Sequence, residues 1–308
     1  MSRKLLIMDW LVHGGHQYEF FKLNHNFYCT KLDGNPPLQS DFGRPRNNGV
    51  LYVKERLARA RPFDIIMVRA GLNHKRYDFF RKKGTPRGIA VIQTHTPFSV
   101  PSWVDAVVWN SYVVMKKYKS RFPGKKHYHI AHGFDPNEFR KLDLKRNGRV
   151  ISVNNVFKKR GDLLGFSDWA KVSKKTGICD LVGHGNDDLK ESIGCYPLND
   201  LVEKLNEYSV YLNTTIASAM PRARAEALMC GTPIVTTKNY DIDMYLKDKK
   251  HCLYANSKSE MVEAINKILS SKSLAEDLSE YGREAAIKHF NINLYLQKWE
   301  RVFEDLRR

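Results

Sequence analysis

The residue types best suited to chemistry lie in NTTIASAMPRARAEALMCGTPIVTT, residues 213–237. A strand-like run ends near Leu212, a polar loop follows, and Pro221 suits the first turn of a helix. That helix is expected over residues 222–230, with Gly231 closing it and Pro233-Ile234-Val235 entering the next strand. A helix opening at the end of a strand aims unpaired amides at whatever binds there, which is a ready phosphate site. Glu226, one turn into the helix, could accept two hydrogen bonds from ribose hydroxyls. The plainer alternative, which the pattern favours less, is an ordinary carboxylate on a capped helix.

Other segments carry weaker signals. Gly14-Gly15 follows the first strand pattern, and most such pairs are only turns. His95 sits in VIQTHTP, where a lone histidine serves structure as readily as catalysis. The run Lys158-Lys159-Arg160 precedes Gly161, and DLVGHGN (180–186) contains a Gly-x-Gly loop at Gly183. Asp241-Ile242-Asp243 has metal-motif spacing but follows the strand after the Glu226 helix, so a surface turn or a sugar contact fits it better. The five cysteines are odd in number and never form a CxxC pair. They support neither a metal cluster nor a disulfide framework and suit a reducing cytoplasm.

These residues need a scaffold, and the pattern supplies one. Short β-like runs alternate with amphipathic helical stretches, the signature of parallel sheets covered by helices. In the first half, strands are expected at 5–8, 27–30, 65–68, 90–93, 106–109 and 128–131. Helices are expected there at 17–23, 51–59 and 112–121, and the Gly/Pro/Asn-rich stretch 32–48 reads as a long loop. A second series has strands at 149–154, 179–182, 210–212, 234–236 and 252–254, with helices at 163–172, 198–207 and 222–230. The polar stretch 140–148 is the natural linker, and three helices (257–269, 274–288, 292–306) end the chain.

Charge divides the chain in the same way. The whole carries a formal +18. Residues 1–150 hold 28 Lys and Arg against 11 Asp and Glu, a net of +17, so the second half is almost neutral. Such asymmetry points to a polyanion bound by the first domain. The cations cluster around 44–61, 75–87 and 116–126 with aromatics between them, as suits a nucleic-acid backbone and exposed bases. No apolar run approaches a membrane span of roughly 20 residues. Asp9 interrupts the apolar run near the N-terminus, so no secretory leader is expected.

The segment Glu226-Ala-Leu-Met-Cys-Gly-Thr-Pro-Ile-Val235 resembles the second half of the signature of family 4 retaining glycosyltransferases. HGFDPNEF (132–139) and the glycine loops resemble that family in order and spacing over nearly the whole chain. The resemblance implies a GT-B fold: two Rossmann-like α/β domains facing across a cleft. It places an acceptor domain at 1–140, a nucleotide-sugar domain at 141–290, and a helix at 291–308 that crosses back to the first domain. It implies catalytic roles for His95, Arg160 and Glu226. Donor contacts would come from Gly14, Gly15, Asn155, Lys159, Gly183, Ser218, Met220, Pro221 and Arg222. Two positions depart from the family: Ser218 stands where its first Glu belongs, and Asn155 where a pyrophosphate Arg belongs.

The implied reaction moves a sugar from a nucleotide diphosphate, best a UDP-sugar, to an acceptor hydroxyl with retention and without a required metal. A polyanionic acceptor follows from the charge. A 5-hydroxymethylated pyrimidine in DNA is the leading expectation, in a compact enzyme resembling those encoded by phages. An anionic membrane carrying a lipid-linked or polysaccharide acceptor is the alternative, and a non-catalytic GT-B nucleic-acid-binding protein is a third. The matching locations are a host cytoplasm or the face of an inner membrane; oligomeric state is left open.

Overall fold

A computed structural model describes residues 3–35, 43–82, 84–218 and 220–308. Residues 36–42 of the expected long loop and Lys83 of the second basic cluster lie outside the described residues. The chain forms two compact units, residues 1–133 with 293–308, and residues 134–292.

The first unit contains β1 (Leu6–Leu11), α1 (Gly14–Phe20), β2 (Asn26–Lys31), β3 (Val50–Tyr52), α2 (Glu55–Ala58), β4 (Ile65–Val68), α3 (Lys75–Arg81), β5 (Arg87–Ile92), β6 (Ala106–Trp109), α4 (Tyr112–Tyr118) and β7 (Lys126–His129). Its strands form one parallel sheet in the order β3-β2-β1-β4-β5-β6-β7. IIMV of β4 and AVVW of β6 are buried at every residue, the continuous apolar run of a sheet covered on both faces. Strand order reverses direction after β3. Right-handed crossovers therefore place α1 on one face and α2, α3 and α4 on the other.

The second unit contains β8 (Val150–Val153), α5 (Phe157–Arg160), α6 (Phe166–Thr176), β9 (Cys179–Val182), α7 (Leu198–Glu207), β10 (Val210–Asn213), α8 (Arg222–Met229), β11 (Ile234–Thr236), α9 (Ile242–Tyr245), β12 (Leu253–Tyr254), α10 (Lys258–Ser270) and α11 (Lys272–Phe290). Its parallel sheet runs β12-β11-β10-β8-β9. Its core is filled by Phe157, Trp169, Leu181, Leu212, Val235 and Ile265 with their neighbours. The last helix, α12 (Ile292–Arg307), belongs to the first unit from Asn293 onward. There Trp299 meets Phe20 of α1 at 4.7 Å between ring centres, and His25 reaches Glu300 at 3.1 Å.

Several boundaries differ from the sequence expectation. The helix expected at 51–59 is an edge strand followed by one helical turn, because Val50, Leu51 and Tyr52 pair with Phe27, Tyr28 and Cys29. The helix expected from 163 starts at Phe166. Gly165 precedes it at φ +70°, where a side chain would lie 2.1 Å from the Thr214 carbonyl. The first unit ends at Gly133, earlier than the boundary expected at 140. Phe134 already belongs to the second unit: its amide donates to Phe290 O at 2.7 Å, and Ile292 N donates to Phe134 O at 2.9 Å. The stretch 140–148 is no free linker either. Leu142 N donates to Asn206 Oδ1 at 2.7 Å, and Arg146 donates to the Tyr208 and Gly231 carbonyls.

Each sheet carries an ion pair, fully buried in the first unit and half-exposed at its arginine in the second. Asp9 on β1 accepts from Arg69 Nε at 2.9 Å and Nη2 at 2.7 Å, from Gln17 Nε2 at 2.9 Å and from Trp10 N at 2.8 Å. Asp180 on β9 accepts from Arg149 at 2.6 and 2.7 Å and from the Tyr208 hydroxyl at 2.7 Å. Burial pushes the Asp180 carboxyl upward, but the bonds from Arg149 and Tyr208 outweigh it and hold the group below its ordinary value.

Two outcomes follow from these pairs. Arg69→Met strands Asp9 without its counter-charge and is expected to cost about 3–5 kcal/mol. Asp9→Asn in the same chain should recover part of that loss in urea unfolding; no recovery would mean the pair is not the anchor. The Asp180 pair stabilises fully above an ordinary aspartate pKa of about 3.9 and is lost as pH falls through the lowered folded value. The midpoint for the second unit should therefore fall more steeply with acid in the wild type than in Asp180→Asn.

Candidate donor site

Parallel strands deliver the loops after β8, β9 and β10 to one edge of the second sheet, where open α/β sheets take their ligands. The first loop carries Asn155, Lys159 and Arg160; the second carries Gly183; the third carries Ser218, Met220 and Pro221 and leads to Arg222 and Glu226. The structure brings these nine predicted residues to the same edge. Gly14, Gly15 and His95 lie at the carboxyl ends of β1 and β5, on the corresponding edge of the first sheet.

The β8 and β9 loops are fastened by side chains. Asn186 is fully buried. Its Oδ1 accepts from Phe157 N at 2.8 Å, and its Nδ2 donates to Asn154 O at 2.7 Å and to Gly183 O at 3.0 Å. Asn155, expected as a donor contact, uses its Oδ1 to accept from His184 N at 2.9 Å. Val156 N closes the pair of loops by donating to His184 O at 2.7 Å. Packing is tight enough to dictate residue type. A side chain at Gly183, where φ is +140°, would lie 2.1 Å from Asn154 O. Val156 itself adopts φ +46°, an uncommon conformation for a β-branched residue, and such strain concentrates at functional loops.

The β10 loop is tied to the same region. Ile216 N and Ala217 N donate to Leu163 O at 3.2 and 2.8 Å. Thr214 Oγ1 donates to Leu164 O at 2.9 Å. Ser218 is thus held beside the turn that follows Arg160. Pro221 is the N-cap of α8 rather than its first helical residue, and it makes no side-chain cap bond. At the far end, Gly231 at φ +70° donates to Leu228 O, and Thr232 N donates to Ala227 O. This double closure is the expected glycine cap.

The charged groups divide into engaged and available. Glu226 is buried, and its Oε1 accepts from Arg222 Nη2 at 3.3 Å. Arg222 also lies over the Phe134 ring at 4.5 Å. Arg222 therefore orients the carboxylate as well as standing at the helix start. Lys159 is exposed. The Arg160 guanidinium has no hydrogen-bond or ion-pair partner among the described residues, and partial burial lowers its pKa with no carboxylate to offset it. An uncompensated guanidinium at the end of α5 suits an incoming anion.

Two residues of this edge were missed in the sequence reading. Asn186 follows the Gly-x-Gly loop, and nothing local marks its bonds to a segment some thirty residues away. Arg224 is buried on the far side of α8, donating to Asn239 Oδ1 at 3.0 Å and Thr236 Oγ1 at 3.4 Å. Its signal was the Arg-x-Arg spacing, which puts residues 222 and 224 on different faces of a helix. Asp241, expected at a surface turn or a sugar contact, is buried, while Asp243 pairs with Lys238 at 2.9 Å.

Residues 166–301 match a family model described as glycosyl transferase-like. No curated protein is similar to the chain in sequence. Among solved structures, a glycosyltransferase from Rickettsia africae matches all of this chain over all of its own, with a TM-score of 0.74 at 13% identity. The sucrose-phosphate synthase of Thermosynechococcus elongatus matches over 99% of both chains with a TM-score of 0.74 at 11% identity. Anabaena HepE, solved with UDP and glucose, covers 98% of this chain and 100% of its own with a TM-score of 0.73 at 10% identity. The fold is thus GT-B, and residues 166–301 form a glycosyl transferase-like domain.

Asn186→Ala removes three bonds that join two loops. Amide hydrogen exchange should rise together in residues 154–157 and 183–186, with a stability loss of about 1–3 kcal/mol. Faster exchange in one loop alone would show that Asn186 does not couple them.

Proposed function

We propose that this GT-B glycosyltransferase moves a sugar from a UDP-sugar to a hydroxyl of an acceptor held by the cationic first unit, with retention at the anomeric carbon. The observation that carries the donor half is the tying of the β10 loop to Leu163 and Leu164. It sets the uncapped start of α8 and the unpartnered Arg160 along one edge. A diphosphate there would be met by helix amides and a guanidinium, which stabilise the charge on the departing phosphate. Glu226, oriented by Arg222, would accept from the ribose hydroxyls. Asn155 brings no charge to the pyrophosphate, so Arg160 carries that role with Lys159 beside it. Ser218 and Met220 would lie along the sugar, and Gly183 would let the backbone approach the base. Gly14, Gly15 and His95 are assigned to the first unit's side of the reaction, His95 toward the transferred sugar. UDP bound to Anabaena HepE supports the choice of donor.

The acceptor half rests on the net +17 of residues 1–150. Charge alone fits 5-hydroxymethylated DNA and an anionic bilayer carrying a lipid-linked or polysaccharide acceptor. The apolar side chains exposed among the cations favour the bilayer: Leu57 and Phe79 are 59% and 44% exposed. No helix among the described residues is long and apolar enough to cross a membrane, so such an enzyme would work at the bilayer surface.

The test is sugar transfer from UDP- and GDP-sugars to hydroxymethylated duplex DNA, to anionic polysaccharide and to lipid extract in vesicles, read by mass spectrometry beside donor hydrolysis. Glu226→Gln and Arg160→Ala should each lower turnover about 10- to 100-fold, the worth of a lost charge-assisted hydrogen bond. Neither hydrolysis nor transfer from any donor would leave a binding protein and sink the proposal. A mass gain on DNA alone would move the acceptor from lipid to DNA.

A further inference from the structure

We infer that the α2–α3 face of the first unit is a docking surface for an anionic lipid bilayer. The inference deepens the proposed reading by naming where the acceptor is met. α2, α3 and α4 cover one face of the first sheet, while α1 and α12 cover the other. The exposed cations carried by α2, α3 and α4 thus fall on one side of the sheet, whereas Arg87 and Lys126 bond the Leu306 and Asp305 carbonyls of α12.

α2 and α3 are bound to each other. Buried Glu55 accepts from Arg59 at 2.8 Å and from Arg76, and the Arg59 guanidinium lies 4.0 Å from the Phe79 ring centre. The outer surface of this pair carries Lys54, Arg56, Arg61 and Lys82, all exposed. From Lys54 to Lys82 the only acids are Glu55, Asp64 and Asp78. Glu55 is buried, Asp64 is bound by Arg3, and Asp78 faces Arg81 at 3.9 Å. The surface is cationic, with two large apolar side chains projecting from it.

Those two side chains decide between anionic partners. Nucleic acid is gripped by cations together with aromatic faces open for stacking. Here the face of Phe79 is covered by Arg59 and approached by Lys82 at 5.9 Å. Leu57 offers neither a stacking face nor a hydrogen bond. Apolar tips surrounded by guanidinium and ammonium groups suit the boundary between acyl chains and anionic headgroups.

The whole chain, without donor or acceptor, would be sedimented with phosphatidylglycerol-containing vesicles and with pure phosphatidylcholine vesicles, and titrated separately with short duplex DNA. Binding should require phosphatidylglycerol. Neutralising Arg56, Arg61 and Lys82 to Gln should weaken it on the order of a hundredfold, at about fivefold per cation. Leu57→Ser with Phe79→Ser should weaken vesicle binding by at least about tenfold, with thermal unfolding unchanged and DNA affinity unmoved. No binding to phosphatidylglycerol vesicles would overturn the inference. So would vesicle binding indifferent to the two serine substitutions, and so would DNA binding tighter than vesicle binding and weakened by the same substitutions. Because no sugar transfer is measured, failure here is distinct from failure of the proposed reaction.

Discussion

The candidate donor site depends on β10, β8 and β9 ending side by side as parallel strands. Parallel pairing forces their following loops to leave at one edge, and there each loop must satisfy its own backbone without a sheet to help. Asn186 does this for two loops at once. Thr214 and the Leu163 and Leu164 carbonyls do it between the third loop and the turn after Arg160. These two fastenings join the loops that carry Asn155, Gly183 and Ser218.

This arrangement gives a physical account of the position where a family-type arginine is missing. Asn155 spends its side-chain oxygen on the His184 amide, so a position expected to contact donor serves to shape the loop. The proposed charge at the pyrophosphate falls instead to Arg160, whose guanidinium has no partner among the described residues. Arg222 shows the converse economy. It holds Glu226 by a hydrogen bond and rests on Phe134, which fixes a buried carboxylate that would otherwise be costly to desolvate.

In the first unit the order of importance is different. Asp9 and Arg69 join β1 to the end of β4, and Gln17 links that pair to the loop before α1. Gln17 accepts from the amides of Val12 and His13 while donating to Asp9. The Gly14-Gly15 segment is therefore held by a buried polar network rather than by glycine geometry alone. On the opposite face of the sheet, Lys54, Arg56, Arg61 and Lys82 are left exposed. That is a poor way to stabilise a fold and a good way to attract an anionic surface.

The sequence by itself determined the class of fold, the division into a basic and a neutral half, and the α8 helix with its glycine cap. Those features rest on local patterns: apolar periodicity, a proline before a helix, a glycine after one, and the count of charges. It could not supply what depends on residues distant in the chain. The strand at 50–52 exists because β2 is there to pair with it, and the Gly133 boundary because Phe134 bonds to residues 290–292. Asn186 matters because it reaches Phe157, and Leu57 and Phe79 because they stay exposed among cations. Hydrogen-bond partners and exposure are properties of neighbours in space, and only the tertiary structure decides which neighbours those are.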